Sequence, residues 1–359
     1  LCFTPDSKKI VVSNWGSASI SVISLDRGIA AEHHRVGLMP YGVVTDGNSA
    51  FITEFATGNV SILNLKTGRQ VNRIAVNPFP AGLAITSDRK QLLVTHLFNG
   101  DVTSIDVKTS KVSHIVSTGL DISSNQFVAI GPSGDKAYLP QTRSNVDNTA
   151  LLFDSTVFPV VNILDLPDLK LMVRDRITID TADEPVNMPF SVAISPDENV
   201  VFVANAGSDD VSVIDQRTDR GVAHISVGAN PRGVAITPDG SRVFVNNVLD
   251  GTLSVIDTDD LIVTQTVDLT DIPLPETILQ GKKIFNSASE PLLTTDNWIS
   301  CATCHFDGMM DGRTWLGFPD GPRNTPSLLG VNRTLPIHWS GDLDELQDVE
   351  VTIREIQVG

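Results

Sequence analysis

The 359-residue chain is short of several things, and each shortage excludes a class of protein. It has three cysteines, Cys2, Cys301 and Cys304, too few for a disulfide framework. Positive charge is scarce. Lys and Arg total 26 against 43 Asp and Glu, a net charge of −17. That balance argues against a binder of the nucleic-acid backbone and against an anchor on anionic lipid. No apolar run reaches the roughly 18 residues of a membrane helix. The longest candidate, from Leu151 to Leu166, is interrupted by Asp154, Pro159 and Asp165. Aromatic residues are only 6%, so the strands must rest on β-branched side chains. The chain lacks a G-x-S-x-G, P-loop or Rossmann string. It starts with Leu in the middle of a repeat and shows no signal peptide, so it reads as a fragment or a processed chain. With 41% hydrophobic and 19% charged residues it is nonetheless a globular sequence.

A repeat occupies its first three quarters. The strings Gly233-Val-Ala-Ile-Thr-Pro-Asp-Gly240, Ser191-Val-Ala-Ile-Ser-Pro-Asp197, Gly82-Leu-Ala-Ile-Thr-Ser-Asp88, Gly42-Val-Val-Thr-Asp-Gly47 and Leu1-Cys-Phe-Thr-Pro-Asp6 are copies of one another, and Phe127-Val-Ala-Ile-Gly-Pro-Ser133 is a weaker one. Anchored on Thr4, Thr45, Thr86, Gly131, Ser195 and Thr237, the spacings are 41, 41, 45, 64 and 42. After each turn come further short runs of period two, such as Arg242 to Asn246, Leu253 to Asp257 and Ile262 to Val267. Four short strands per unit of about 41 residues predict a β-propeller, whose radial arrangement leaves only short sheet edges. Cys2 stands where other copies carry Ala or Val and reads as a core thiol. The scattered histidines of the repeats, His33, His34, His96, His114 and His224, read as structural.

Ala204-Asn205 with Val211-Ser-Val-Ile-Asp215, and Asn246-Asn247 with Leu253-Ser-Val-Ile-Asp257, make residues 1–270 resemble the YVTN-type propeller repeats of exported and surface-layer bacterial proteins. Six units register, and the resemblance implies seven blades in all. The spacing of 64 carries about 22 extra residues near Arg143 to Val157, an insertion that reads as a loop on one propeller face.

Composition changes at Asp271-Ile-Pro-Leu-Pro-Glu276, a stiff linker. The expected division is a propeller over 1–272 and a small, mainly α domain over 273–359. The second holds Cys301-Ala-Thr-Cys304-His305. C-x-x-C-H is the attachment string of c-type haem. Two thiols on one helical turn can each form a thioether with a vinyl group, and the following imidazole meets the iron. A thioredoxin-like pair would not need His305, and a zinc site would need a second Cys or His pair. Gly281 to Phe285 predicts a helix ahead of this loop. Asp342-Leu-Asp-Glu345 reads as a capping box opening a helix whose apolar face is Leu343, Leu346, Val349, Ile353 and Ile356.

The strings Asp311 to Trp315, Gly321-Pro-Arg-Asn-Thr-Pro326 and Trp339-Ser-Gly341 make residues 277–359 resemble the first haem domain of bacterial di-haem cytochrome c peroxidases. The resemblance implies a proximal His305. The family's distal His, between the haem string and Gly-Pro-Arg, is absent here, and Trp315 and Leu316 occupy that stretch. Candidate sixth ligands are His338, or less favourably Met309 or Met310, with an open iron as the remaining alternative. Arg323 is the candidate partner of a haem propionate, with Arg313 behind it, and Trp315 is a further haem-pocket residue. Asp307 and Asp311 read as loop residues, a calcium site being the alternative.

Three functions compete. The first is an exported c-type cytochrome that passes electrons to a partner with a basic docking patch, the propeller serving as docking scaffold. The second is a haem enzyme, peroxidase-like or a propeller dehydrogenase. The third is a surface-layer binding protein. The resemblances imply the periplasm or the bacterial cell surface.

Overall fold

The computed structural model describes the chain except at positions 27–29, 150, 151, 154, 180–183, 292, 295, 319, 320 and 355–359. It is a mainly β molecule, a β-propeller of six blade-type sheets followed by short helices. Blade 1 comprises Cys2–Phe3, Lys9–Asn14, Ser19–Ser24 and Ala30–Arg35. Blade 2 comprises Pro40–Thr45, Ser49–Glu54, Asn59–Asn64 and Arg69–Ala75, and blade 3 Pro80–Ile85, Gln91–His96, Asp101–Asp106 and Lys111–Ser117. Blade 5 is Pro189–Ile194, Val200–Asn205, Asp210–Asp215 and Arg220–Ser226, and blade 6 is Pro231–Ile236, Arg242–Asn247, Thr252–Asp257 and Ile262–Asp268. Each is an antiparallel meander in chain order. The fourth sheet is built on two nine-residue strands, Lys136–Ser144 and Val157–Asp165, with four two-residue strands along them.

The repeated Thr-x-Asp or Ser-x-Asp string has a mechanical role. In blade 3 the Thr86 hydroxyl donates to Asp88 at 2.7 Å and accepts from the backbone N–H of Gln91 at 3.1 Å, closing the first hairpin. Thr4, Ser195 and Thr237 do the same with Asp6, Asp197 and Asp239. These hydrogen bonds to the carboxylates hold Asp88 and Asp239 down to about 2.

A second repeated pair joins the end of the inner hairpin in blades 1, 2, 3, 5 and 6. Asn14 donates to Ser21 at 2.9 Å, His96 meets Thr103 at 2.8 Å, Asn205 donates to Ser212 at 2.8 Å and Asn247 to Ser254 at 2.9 Å. Glu54 takes the same place in blade 2, bonded by Ser61, Thr57, Arg73 and the Gly37 N–H. His96 therefore has a structural job: its other ring nitrogen lies 3.1 Å from the Pro78 carbonyl, and burial lowers its basicity.

Two compact units can be described separately. The first holds 1–120, 125–139 and 163–174. The second strands of blades 2 and 3 are buried on both faces, which explains their nearly unbroken apolar runs. In Ser49–Glu54, Ala50 and Ile52 pack with Val11, Ile20 and Leu63, while Phe51 points the other way into Leu83, Leu92 and Ile105. Fully burying one such side chain is worth about 1.5–3 kcal/mol. At the strand ends, Phe55 is the hub of a separate ring cluster, 5.1 Å from Trp15, 5.3 Å from Phe79, 6.0 Å from Phe98 and 6.3 Å from Tyr41.

The second unit holds 121–124, 140–162 and 175–359. Blades 5 and 6 share a core of Phe202, Val211, Val213, Val243, Val245 and Ile256. After them come α1 (Glu276–Asn286), α2 (Cys301–Cys304), a two-residue hairpin of Thr314–Trp315 with Arg323–Asn324, and α3 (Val349–Thr352). The helix expected over Gly281 to Phe285 is α1. The helix expected from Asp342 is not formed there. Leu343 is bridged to Ile337, and the reciprocal cap is Glu345 with Asp348, so regular turns begin only at Leu346. Ile356 lies outside the described residues.

Candidate functional site

The C-x-x-C-H string forms a single helical turn, and blade 5 holds it. A turn of four residues is far below the length at which a helix sustains itself. Here the support comes from Asn187, 1% exposed, two residues before the proline that opens blade 5. Its amide donates to the Trp298 carbonyl at 2.9 Å and to the Thr303 hydroxyl at 3.0 Å. Its carbonyl oxygen accepts from the hydroxyls of Ser300 at 3.0 Å and Thr303 at 3.2 Å. The Thr303 hydroxyl in turn accepts from the Ser300 N–H at 3.0 Å, closing the start of α2. Ala302 and Thr303 are buried toward this support, and Cys301 and Cys304 stay half-buried, neither in a disulfide.

His305 follows with its backbone N–H on the Cys301 carbonyl at 2.9 Å. Its Nδ1 lies 3.0 Å from the Pro326 carbonyl, so Nδ1 carries the proton and Nε2 keeps its lone pair. Burial also lowers the basicity of the ring. Next, Phe306 stacks on Phe190 of blade 5 with centroids 6.1 Å apart. The Arg232 guanidinium of blade 6 sits 5.0 Å from the Phe190 ring and 5.7 Å from the Phe306 ring, and grips Asp307 in two hydrogen bonds of 2.7 and 3.1 Å. Ahead of α2 the chain is tied by the Ala288 N–H on the Gly207 carbonyl at 2.6 Å and by Lys283 on Asp250 at 2.7 Å.

The insertion in the fourth blade finds its place here. Val146, Phe153 and Val157 pack with Trp298, Ile299, Trp315, Phe318 and Cys304, and the Leu316 N–H bonds to the Val146 carbonyl at 3.0 Å. The insertion is a wall beside Cys304. Burial pushes the Cys304 thiol well up, reinforced by the charge of Asp311 and then by Cys301. That is the opposite of the depressed thiol of a thioredoxin-like pair. Among the described residues, no three His, Cys, Asp or Glu side chains converge to hold a metal ion. Asp307 is gripped by Arg232, and Asp311 accepts from the Trp315 indole at 2.8 Å.

The later strings are brought together. Pro326 meets His305, the Trp339 indole donates to the Asn324 carbonyl at 2.7 Å, and Arg323 reaches the Ser340 hydroxyl at 3.5 Å. His338 has a φ of +67° and its Nδ1 lies 3.3 Å from an Asp342 carboxylate oxygen. Met309 bonds back to the Phe306 carbonyl at 2.9 Å, and Met310 is exposed. Two thiols on one turn, neither in a disulfide, followed by an imidazole with one nitrogen fixed and the other available, could hold a covalently attached haem.

Asn187, Phe190 and Arg232 were not singled out from the sequence, because they lie up to 116 residues from the string they hold. A signal existed in the repeat register. Two residues before the blade-opening proline, Asn187 is polar where blades 2, 3 and 6 carry Leu38, Pro78 and Ala229.

No known family model matches the chain, and no curated protein matches it. Among solved structures it is similar to Kuenenia stuttgartiensis hydrazine synthase, at 16% identity and a TM-score of 0.52, over 71% of this chain and 94% of that one. At that identity the likeness is one of fold, the β-propeller.

Proposed function

We propose that the chain is an exported c-type haem protein in which Cys301 and Cys304 carry the group covalently, His305 ligates its iron, and the propeller serves as scaffold and docking body. The observation that carries this reading is the attachment turn itself. Its two half-buried cysteines are outside any disulfide, and the Pro326 carbonyl fixes the His305 tautomer with Nε2 available. Haem c, when bound, supplies a one-electron couple. The residues around it orient the imidazole, shield Cys304 behind Trp298 and Trp315, and anchor the turn to blade 5. His338 is the favoured sixth ligand, ahead of Met309 and Met310, and Arg323 and Trp315 complete the proposed pocket. With a net charge of −17 the chain suits a redox partner with a basic docking patch, through attraction that weakens with salt. Attachment of this kind takes place outside the bacterial cytoplasm, so the proposal places the protein in the periplasm or at the cell surface. The division into 1–272 and 273–359, the cytochrome c character of the second part and a seventh blade beyond the six described belong to the same proposal.

The test is acid–organic extraction of the purified chain made with a haem-attachment system. The wild type should retain its haem through extraction, while the Cys301→Ser, Cys304→Ser double variant should release all of it. Release from the wild type would overturn the reading.

A further inference from the structure

Asn187 spends its whole hydrogen-bonding capacity on the attachment segment. A carboxamide has two N–H donors and two oxygen lone pairs. The donors go to the Trp298 carbonyl and Thr303, and the lone pairs to Ser300 and Thr303. At 1% exposure these groups would have no water to replace those partners. The rest of blade 5 is shaped around it. Its main chain is held by the Gly207 N–H on the Asn187 carbonyl at 3.0 Å and by its own N–H on the Ser208 hydroxyl at 3.2 Å. A Cβ on Gly207 would overlap the Asn187 carboxamide, so only glycine leaves room for it. The partners are Trp298 and Ser300, three residues and one residue before the helical turn, and the second spacer of the C-x-x-C string, Thr303. None of the four Asn187 side-chain hydrogen bonds goes to a cysteine.

We propose that Asn187 is a positioning residue of blade 5 that holds residues 300–304 in a helical turn in the chain before any haem is attached, so that both thiols are presented from one prefolded surface. The turn is too short to form by itself, and the propeller carries the template for it. The proposal deepens the haem reading but does not need haem for its first measurement.

That measurement is thiol alkylation with iodoacetamide on the full chain produced without a haem-attachment system, read per cysteine by mass spectrometry. Cys2, in blade 1, is the internal reference. Asn187→Leu keeps the size and removes all four hydrogen bonds. It should raise the alkylation rate of Cys301 and Cys304 by about tenfold, the change expected from losing a net hydrogen bond or more in a local opening equilibrium, and leave Cys2 unchanged. Asn187→Asp keeps the acceptors for Ser300 and Thr303 and should fall between. Thr303→Val should cost less in the Asn187→Leu background than in the wild type, since two hydrogen bonds are shared and only the Ser300 N–H cap is Thr303's own. With an attachment system present, covalent haem per chain should fall in the same order. Unchanged alkylation of Cys301 and Cys304, or additive effects of the two substitutions, would overturn the proposal. If Asn187→Leu also loosens Cys2, the milder Asn187→Asp, which loses only the two donors to Trp298 and Thr303, decides by the same readings. A wild type that takes up no covalent haem would defeat the haem reading and leave the alkylation contrast standing.

Discussion

Replacing Asp209 with asparagine should stabilise the protein above pH 6 and leave it unchanged below pH 4. Asp209 sits in the blade 5 hairpin, with a left-handed φ of +59°, and lines a cavity of about 180 Å³ beneath α1 with Asn230, Gln280 and Lys283. Burial raises its carboxyl from the ordinary 3.8 to about 6. The Asn230 N–H opposes the rise, Asp210 and Asp250 add to it, and Lys283 offsets part of it. The folded protein therefore holds this proton to about pH 6, and the unfolded chain releases it near 3.8. Between those values the fold binds more protons, so stability falls as pH rises through the window, and the loss is complete above it. A rise of about two in pKa corresponds to about 3 kcal/mol, reduced to about 2 kcal/mol because water still reaches part of the group. Asparagine tolerates the left-handed backbone, keeps the acceptor for the Asn230 N–H at 2.7 Å and removes the charge. Urea unfolding of both proteins at pH 8 and at pH 3.5 measures the difference. A variant no more stable than wild type at pH 8, or a gain of equal size at both pH values, would refute the reasoning.

Three further outcomes follow from other parts of the structure. Phe55→Ala removes the ring that four others surround and should cost about 3 kcal/mol of unfolding free energy in a denaturant titration. Arg232→Leu loses the double hydrogen bond to Asp307 and the two ring faces; protease cleavage between Phe306 and Met310 should accelerate about tenfold, while cleavage in blades 1–3 stays constant. In haem-loaded protein His338→Ala should turn the oxidised spectrum from low- to high-spin and admit cyanide, and an unchanged spectrum would remove His338 as a ligand.

The blades were legible in the sequence because local chemistry repeats. Thr4, Thr86, Ser195 and Thr237 each close a hairpin with an aspartate two residues on, a pattern visible without any long-range contact. The C-x-x-C-H string was legible for the same reason. Asp342 to Glu345 satisfied the local rule for a helix start, yet the bridge between Leu343 and Ile337 took that backbone first, and the cap moved to Glu345 and Asp348. Asn187 and Arg232 obey no local rule. Their partners are chosen by where the last segment comes to rest on blades 5 and 6, and that choice is written only in the register differences between blades.

The hold of blades 5 and 6 on the last segment makes the linker around Pro273 and Pro275 dispensable as a tether. A single cut at exposed Asp271 would break one covalent bond and none of the contacts made by Asn187, Gly207, Arg232 and Asp250. The two pieces would then behave as complementing fragments, travelling together on a sizing column under native conditions and separating only in denaturant.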